Sequence, residues 1–95
     1  MASLKPETIQ MQQRTKDFAL RIVRLFRVLP KNVEGQVLGR QLLRAGTSVA
    51  ANYRATCRAR SHAEFISKMS VVLEEVDESS FWLELLADAG HSHSS

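Results

Sequence analysis

The chain has 95 residues, of which 44% are hydrophobic and 24% charged, and its formal net charge is +3. This length and composition predict one globular domain with a modest core and exclude a disordered protein. No apolar run approaches the roughly 18 residues of a membrane span, and the N-terminus lacks the apolar stretch of a signal peptide, so we expect a cytoplasmic protein without a membrane partner.

The charges are distributed unevenly along the chain. Residues 1–60 hold twelve Lys or Arg and three acids, whereas residues 61–95 hold one Lys and seven acids. Such asymmetry is typical of a basic surface for nucleic acid, and it also fits head-to-tail pairing between subunits of opposite local charge. Both interpretations stay open at this point.

The first predicted helix begins with Thr8 as its cap and ends at Leu29, because Pro30 cannot continue a helix. Its apolar side is predicted to face the core and comprises Phe18, Ala19, Ile22, Leu25, Phe26 and Leu29. The opposite side is basic. Asp17 lies four residues before Arg21, so we expect these two side chains to pair and to mask part of that charge.

The second predicted helix follows a short linker in which Asn32 is the cap, and it runs to about Arg58. A linker this short places the first two helices side by side and antiparallel. The residues at core-facing spacing are Leu38, Leu42, Ala45, Val49 and Tyr53. Beside them runs a row of small residues, interpreted as a surface for close helix packing, comprising Gly39, Gly46, Ala50 and Cys57.

The opposite side of the second helix carries a cationic stripe. Its members are Arg40, Arg44, Arg54 and Arg58. A solvated surface and a phosphate-binding surface are both compatible with such a stripe, and the spacing alone does not distinguish them.

The third predicted helix has the clearest start, because Ser61 and Glu64 have the spacing of a capping box. Gly90 is expected to end this helix as a C-terminal cap. Its predicted core stripe comprises Phe65, Ile66, Met69, Val72, Leu73, Val76, Leu83 and Ala87. Four acids outside the stripe are interpreted as a solvated face, with a basic surface of another subunit as the alternative partner: Glu74, Glu75, Asp77 and Glu78.

The last turns of the third helix are apolar on nearly all sides. The residues outside the core stripe that cause this are Phe81, Trp82, Leu85 and Leu86. In a bundle of three helices they would form an exposed apolar patch, and such patches usually mark an interface. We therefore predict self-association through these residues, or a missing helix.

The sequence offers little for catalysis or metal binding. Cys57 is the only cysteine and is interpreted as a half-buried thiol, and the histidines of the polar tail, His91 and His93, make at most a weak adventitious metal site. We expect no catalytic residue, no cofactor, no biological metal and no small-molecule substrate. Residues 1–90 are predicted to form one helical-bundle domain, and residues 91–95 a disordered tail.

Several segments resemble a known family. They are RTKDFALRIVRLFRVLP, GRQLLRAGTSVAANYR, the RAR-S-x-x-EF junction and the WLELL end of the third helix. Together they resemble the bacterial four-helix-bundle proteins called 23S rRNA intervening-sequence proteins, also known as the S23 ribosomal protein family. The resemblance covers about residues 14–90, and its most specific part is the glycine- and arginine-containing second helix.

The resemblance implies an all-α, up-and-down antiparallel bundle, a ring-like homopentamer, and a basic surface suspected of contacting nucleic acid. The fold is also similar to the accessory variability determinant of diversity-generating retroelements. Members of the family usually continue into a fourth helix, whereas this chain continues from Gly90 into HSHSS. The sequence therefore predicts three long helices, with the family's fourth apparently missing.

These observations favour a non-enzymatic protein that forms homo-oligomers and binds RNA or DNA phosphates with weak sequence specificity. The arginines expected to contact phosphates are Arg21, Arg24, Arg40, Arg44, Arg54, Arg58 and Arg60. The alternative is a protein-interaction scaffold, in which the same arginines pair with the acidic third helix of a neighbouring subunit or with another protein.

Overall fold

The computed structural model describes residues 4–90, which form three helices: α1 (Pro6–Val28), α2 (Val33–Thr56) and α3 (His62–Asp88). α2 lies in the middle and packs against both neighbours, whereas the backbones of α1 and α3 do not contact each other within these residues. The described part of the chain measures 48 × 21 × 18 Å. The all-α, antiparallel bundle of three long helices is confirmed, and the polar tail lies outside the described residues.

The starts of the first two helices show how local chemistry sets their ends. α1 begins with Pro6 in its first turn, where the missing N–H costs nothing. Thr8 was the wrong cap, because it lies inside the helix and its amide donates to the Lys5 carbonyl at 3.0 Å. Asn32 is confirmed as the cap of α2, since its side-chain oxygen accepts from the Gly35 amide at 2.8 Å.

α3 begins and ends close to the predicted residues. The Ser61 hydroxyl accepts from the Glu64 amide at 3.0 Å, which confirms the cap. The Glu64 carboxylate accepts from the Arg60 amide at 3.2 Å, one residue before the position that a complete capping box uses. Gly90 follows the last turn with φ of 84°, a left-handed conformation that favours glycine.

The glycines of α2 allow α1 to approach closely. A Cβ atom on Gly46 would lie 2.9 Å from Cγ1 of Ile22, and a Cβ atom on Gly39 would lie 2.7 Å from Cδ1 of Leu29. Both distances are shorter than carbon atoms tolerate. At Gly46 the Cβ and both γ carbons of Ile22 lie within 3.2 Å of the added atom, so a side chain there does not fit at this helix separation, whereas at Gly39 the terminal Leu29 methyl can turn away. The row of small residues in α2 is therefore confirmed at these two positions as a packing surface.

The predicted core is confirmed on α2 and is largely wrong on α3. Leu42, Val49 and Tyr53 are buried, as their spacing indicates. On α3 burial is confined to one line with a seven-residue period, formed by Val72, Ser79 and Leu86. Because α3 packs against α2 alone, most of its predicted stripe is exposed, whereas Met69 and Leu83 are half-buried against the core. The exposed members are Phe65, Ile66, Leu73, Val76 and Ala87.

The bundle has an apolar side where α1 and α3 face each other across α2. An open groove of about 390 Å³ lies there, lined by Phe18, Arg21, Ile22, Leu25 and Leu83. The exposed apolar residues of α3 extend this surface along the molecule. None of the described helices is both long and apolar enough to cross a membrane.

Burial of Tyr53 makes stability dependent on pH. Burial, with a smaller contribution from the nearby Cys57 thiol, raises the pKa of the Tyr53 phenol above its ordinary value of 10.0. The unfolded chain therefore loses the phenolic proton first, so the free energy of unfolding falls as pH rises past about 10. Urea unfolding at about pH 8 and pH 10.5 measures the effect. Between these two pH values we expect the free energy of unfolding to fall less for Tyr53→Phe than for the wild type. Equal falls in the two proteins would contradict this assignment.

Candidate nucleic-acid interface

Two arginines of α2 and one in the turn that directly follows it form an exposed surface, which we call the basic face: Arg40, Arg54 and Arg58. At 100° per residue the side chains of Arg40 and Arg54 fall within roughly 40° of each other around the helix. Arg58 lies in the turn that continues from α2, where its amide donates to the Ala55 carbonyl. Arg40 lies about 160° and Arg54 about 120° from Leu42, which is fully buried in the core between α1 and α3. None of the three forms an ion pair within residues 4–90. The basic face is thus on the side opposite to the groove.

Arg44 belongs to the predicted stripe but is held by α3. Its guanidinium forms ion pairs with Glu75, at 3.5 Å, and with Glu78. Glu78 also accepts a hydrogen bond from the indole N–H of Trp82 at 3.1 Å. The interpretation of these two acids as solvated is wrong, since Glu75 is only 17% exposed and both join α3 to α2.

We expect Arg44→Ala to lower the free energy of unfolding by about 1 kcal/mol at low salt, because it removes both ion pairs and leaves two carboxylates side by side. High salt should reduce this loss. Arg40→Ala is the matched control, since Arg40 is an exposed arginine of the same helix without an ion pair within the described residues. Urea unfolding at two salt concentrations measures the difference, and equal effects of both substitutions would contradict the role given to Arg44.

The other predicted arginines do not share the basic face. Arg60 forms an ion pair with Glu64 at 3.8 Å while remaining 89% exposed. Arg21 lines the groove on the other side of the molecule, and Arg24 is exposed on α1. The expected pair between Asp17 and Arg21 is absent from the described residues, where Asp17 accepts from a glutamine side chain at 2.8 Å. The seven arginines therefore form several surfaces.

Two cations of α1 belong to the same side as the basic face and were missed by the sequence analysis: Lys16 and Arg27. On α1, Phe18 and Leu25 line the groove. Helical geometry places Lys16 and Arg27 on the opposite side of the α1–α2 contact, and both are exposed. Their positions around α1 place them beside the α2 arginines only when it is known on which side of the bundle α3 packs. The sequence does not contain that information.

The residues predicted to form a subunit interface differ in their exposure. Leu86 is buried in the chain's own core, and Trp82 and Leu85 are half-buried. Phe81 is exposed and stacks edge-on against Trp82, with ring centroids 5.0 Å apart. A larger exposed apolar surface comes from residues that were expected in the core, such as Leu73 and Val76.

No cluster of three or more possible metal ligands occurs among residues 4–90. His91 and His93 lie outside the described residues. Cys57 is half-buried at the end of α2, as its position predicted.

Comparison with known proteins agrees with the three-helix arrangement. The family model for the 23S rRNA-intervening sequence proteins matches residues 7–95. A crystal structure of a protein with unknown function from the S23 ribosomal protein family of Bacteroides thetaiotaomicron VPI-5482 superposes with a TM-score of 0.79 at 38% identity, covering 86% of this chain and 73% of that chain. Curated proteins give no match. The chain therefore belongs to the family of 23S rRNA-intervening sequence proteins.

Proposed function

We propose that this chain is a cytoplasmic, non-enzymatic protein that self-associates through its apolar side and binds the phosphate backbone of nucleic acid with its basic face. One observation carries the binding proposal. Arg40 and Arg54 on α2 and Arg58 in the turn after it are all exposed, and within residues 4–90 no acid pairs with them.

Arginine suits this role because its planar guanidinium donates two parallel hydrogen bonds to a phosphate and stays charged at every physiological pH. Three such groups along α2 and the turn after it supply attraction without reading bases, so binding is expected to be independent of sequence. The aromatic residues of α1 and α2 are half-buried or buried, and none lies among these arginines.

Self-association is supported by the apolar surface opposite the basic face. Leu73 is 60% exposed and Val76 is 44% exposed, and they lie on the helix that borders the groove. A second copy of the chain that covers this surface would leave the basic face free, so assembly and nucleic-acid binding are compatible. The resemblance to the family implies five subunits, and we propose a homopentamer on that basis.

The assembly is tested by substituting Leu73→Gln and Val76→Gln together and measuring mass by light scattering. We expect a smaller species than the wild type with unchanged helical circular dichroism, because both side chains are already exposed within one chain. Val33→Gln is the matched control, since Val33 is 78% exposed at the start of α2. A monomeric wild type, or a variant of unchanged mass, would contradict the interface.

The binding proposal is tested by fluorescence anisotropy of a labelled nucleic-acid duplex titrated with the protein at low salt. Saturable binding that is insensitive to base sequence is the expected result. An absence of binding at low salt, in a sample that light scattering shows to be folded and assembled, would overturn it.

A scaffold is the second candidate function, and the Arg44 contacts favour it. Arg44 pairs with two acids of α3, so this fold already joins an α2 arginine to the acidic helix. The exposed arginines could bind the remaining exposed acids of a neighbouring α3 in the same way, such as Glu74 and Asp77. Under this alternative, removal of the exposed arginines dissociates the assembly.

A further inference from the structure

The cations on the basic side of α1 and α2 fall into two groups along the bundle. Phe26 and Leu29 of α1 lie closest to the Cβ position of Gly39, which places Arg27 level with Arg40. Along α2, Arg54 follows Arg40 by about 21 Å, from a rise of 1.5 Å per residue, and Arg58 lies in the turn just beyond the same end of the helix. Along α1, Lys16 lies about 16 Å from Arg27, towards the end of the bundle that holds Arg54 and Arg58.

We call Arg27 and Arg40 the near cluster, and Lys16, Arg54 and Arg58 the far cluster. All five side chains are exposed. None of them forms an ion pair within the part of the chain that the structure describes.

The surface between the clusters is free of acids on α2, and apart from Arg44, whose guanidinium pairs with acids of α3, its side chains are short. Thr47 and Ala51 occupy this position, and the Thr47 hydroxyl donates to the Leu43 carbonyl of its own helix at 2.8 Å. A large molecule can therefore lie across the middle of the helix and contact both clusters at once.

We infer that the two clusters bind the two phosphate backbones of a nucleic-acid double helix, one cluster to each strand across a groove. This inference rests on the proposed function and adds the class of ligand. A duplex holds its two backbones rigidly on either side of a groove. The major groove of B-DNA is about 12 Å wide. Clusters separated by about 16 to 21 Å along the helices, on long flexible side chains, can reach both edges of such a groove.

A single strand lacks the features that this surface recognises. It has one flexible backbone, which must be ordered over the full distance between the clusters, and proteins that bind single strands compensate by stacking bases on aromatic side chains. Neither cluster contains an aromatic residue. Phe18, Phe26 and Tyr53 of the same two helices pack against the hydrophobic core.

The ligand class is tested by competition. A labelled duplex is bound to the assembled protein, and unlabelled duplex RNA, duplex DNA and single strands of the same length and sequence are added separately. We expect single strands to need about tenfold higher nucleotide concentrations than a duplex to displace the label. Equal competition by single strands would overturn this inference while leaving the proposed function intact, and failure of the labelled duplex to bind would overturn both. Comparing duplex RNA with duplex DNA as competitors shows which of the two binds the protein more tightly.

The two-cluster geometry is tested by neutralising each cluster separately. Arg27→Gln with Arg40→Gln, and Lys16→Gln with Arg54→Gln, should each weaken duplex binding by about tenfold while changing single-strand binding less. Arg14→Gln with Arg21→Gln is the matched control, because both arginines are exposed on α1 and lie on its groove side, away from Lys16 and Arg27. A control variant that weakens duplex binding as much as either cluster variant would contradict the placement.

Discussion

Reversing the charge at Arg40, Arg54 and Arg58 to Glu is expected to lower nucleic-acid affinity by about a hundredfold or more while leaving the fold and the assembly unchanged. The three side chains are exposed, and within residues 4–90 none takes part in an ion pair, so their loss breaks no contact inside the bundle. The substitution replaces attraction for phosphate by repulsion at all three positions of the basic face. Anisotropy titrations and light scattering measure the two properties on the same sample.

A control with the same change in net charge comes from elsewhere on the chain. Lys5, Arg14 and Arg24 are exposed outside both clusters, and their reversal to Glu should reduce affinity far less. Retained nucleic-acid binding after reversal of the basic face would exclude that face as the binding site. If the assembly dissociates instead, the arginines serve subunit contacts and the scaffold function replaces the proposed one.

Substitution of Gly46 by valine is expected to destabilise the bundle by about 3 kcal/mol. The new Cβ atom would meet Ile22 at 2.9 Å from Cγ1 and 3.1 Å from Cγ2, and the valine methyl groups would add further overlap. Ile22 is 4% exposed and branched at Cβ, so it cannot rotate away without displacing the core. α1 must therefore move away from α2. Urea unfolding followed by circular dichroism measures the loss.

Ala51→Val is the matched control for this substitution, because it places the same side chain at an exposed position of the same helix. Its expected cost is only the difference in helix propensity, a few tenths of a kcal/mol. A Gly46→Val protein as stable as the Ala51→Val protein would show that the two helices are not held as closely as the glycine contacts indicate.

The fold was predictable from sequence mainly where one helix has neighbours on two sides. On α2 the apolar stripe, the glycine row and the arginines lie on separate sides of the helix. In the structure the stripe faces the core and the glycine row contacts α1. The stripe of α3 was misassigned because periodicity reveals that an apolar face exists without revealing which element covers it. Leu86 is covered by the chain and Leu73 is not, although both are leucines of the same helix.

The candidate site was predictable only in part, for a related reason. The ion pairs of Arg44 join residues 31 and 34 positions apart, so no local spacing signals them. Lys16 and Arg27 join the basic side only because α3 packs on the other side of the bundle. In both cases the missing information is the arrangement of helices relative to one another, which local patterns do not contain.

The salt dependence of binding tests the central claim most directly. The association constant for duplex DNA is measured at several salt concentrations for the wild type and for a variant with Arg40, Arg54 and Arg58 changed to Gln. We expect log K to fall more steeply with log salt for the wild type, by about 2.7 per bound subunit, which is three phosphate contacts at about 0.9 each. Equal slopes for the two proteins, or no binding by an assembled wild type at low salt, would contradict a phosphate-binding role for the basic face.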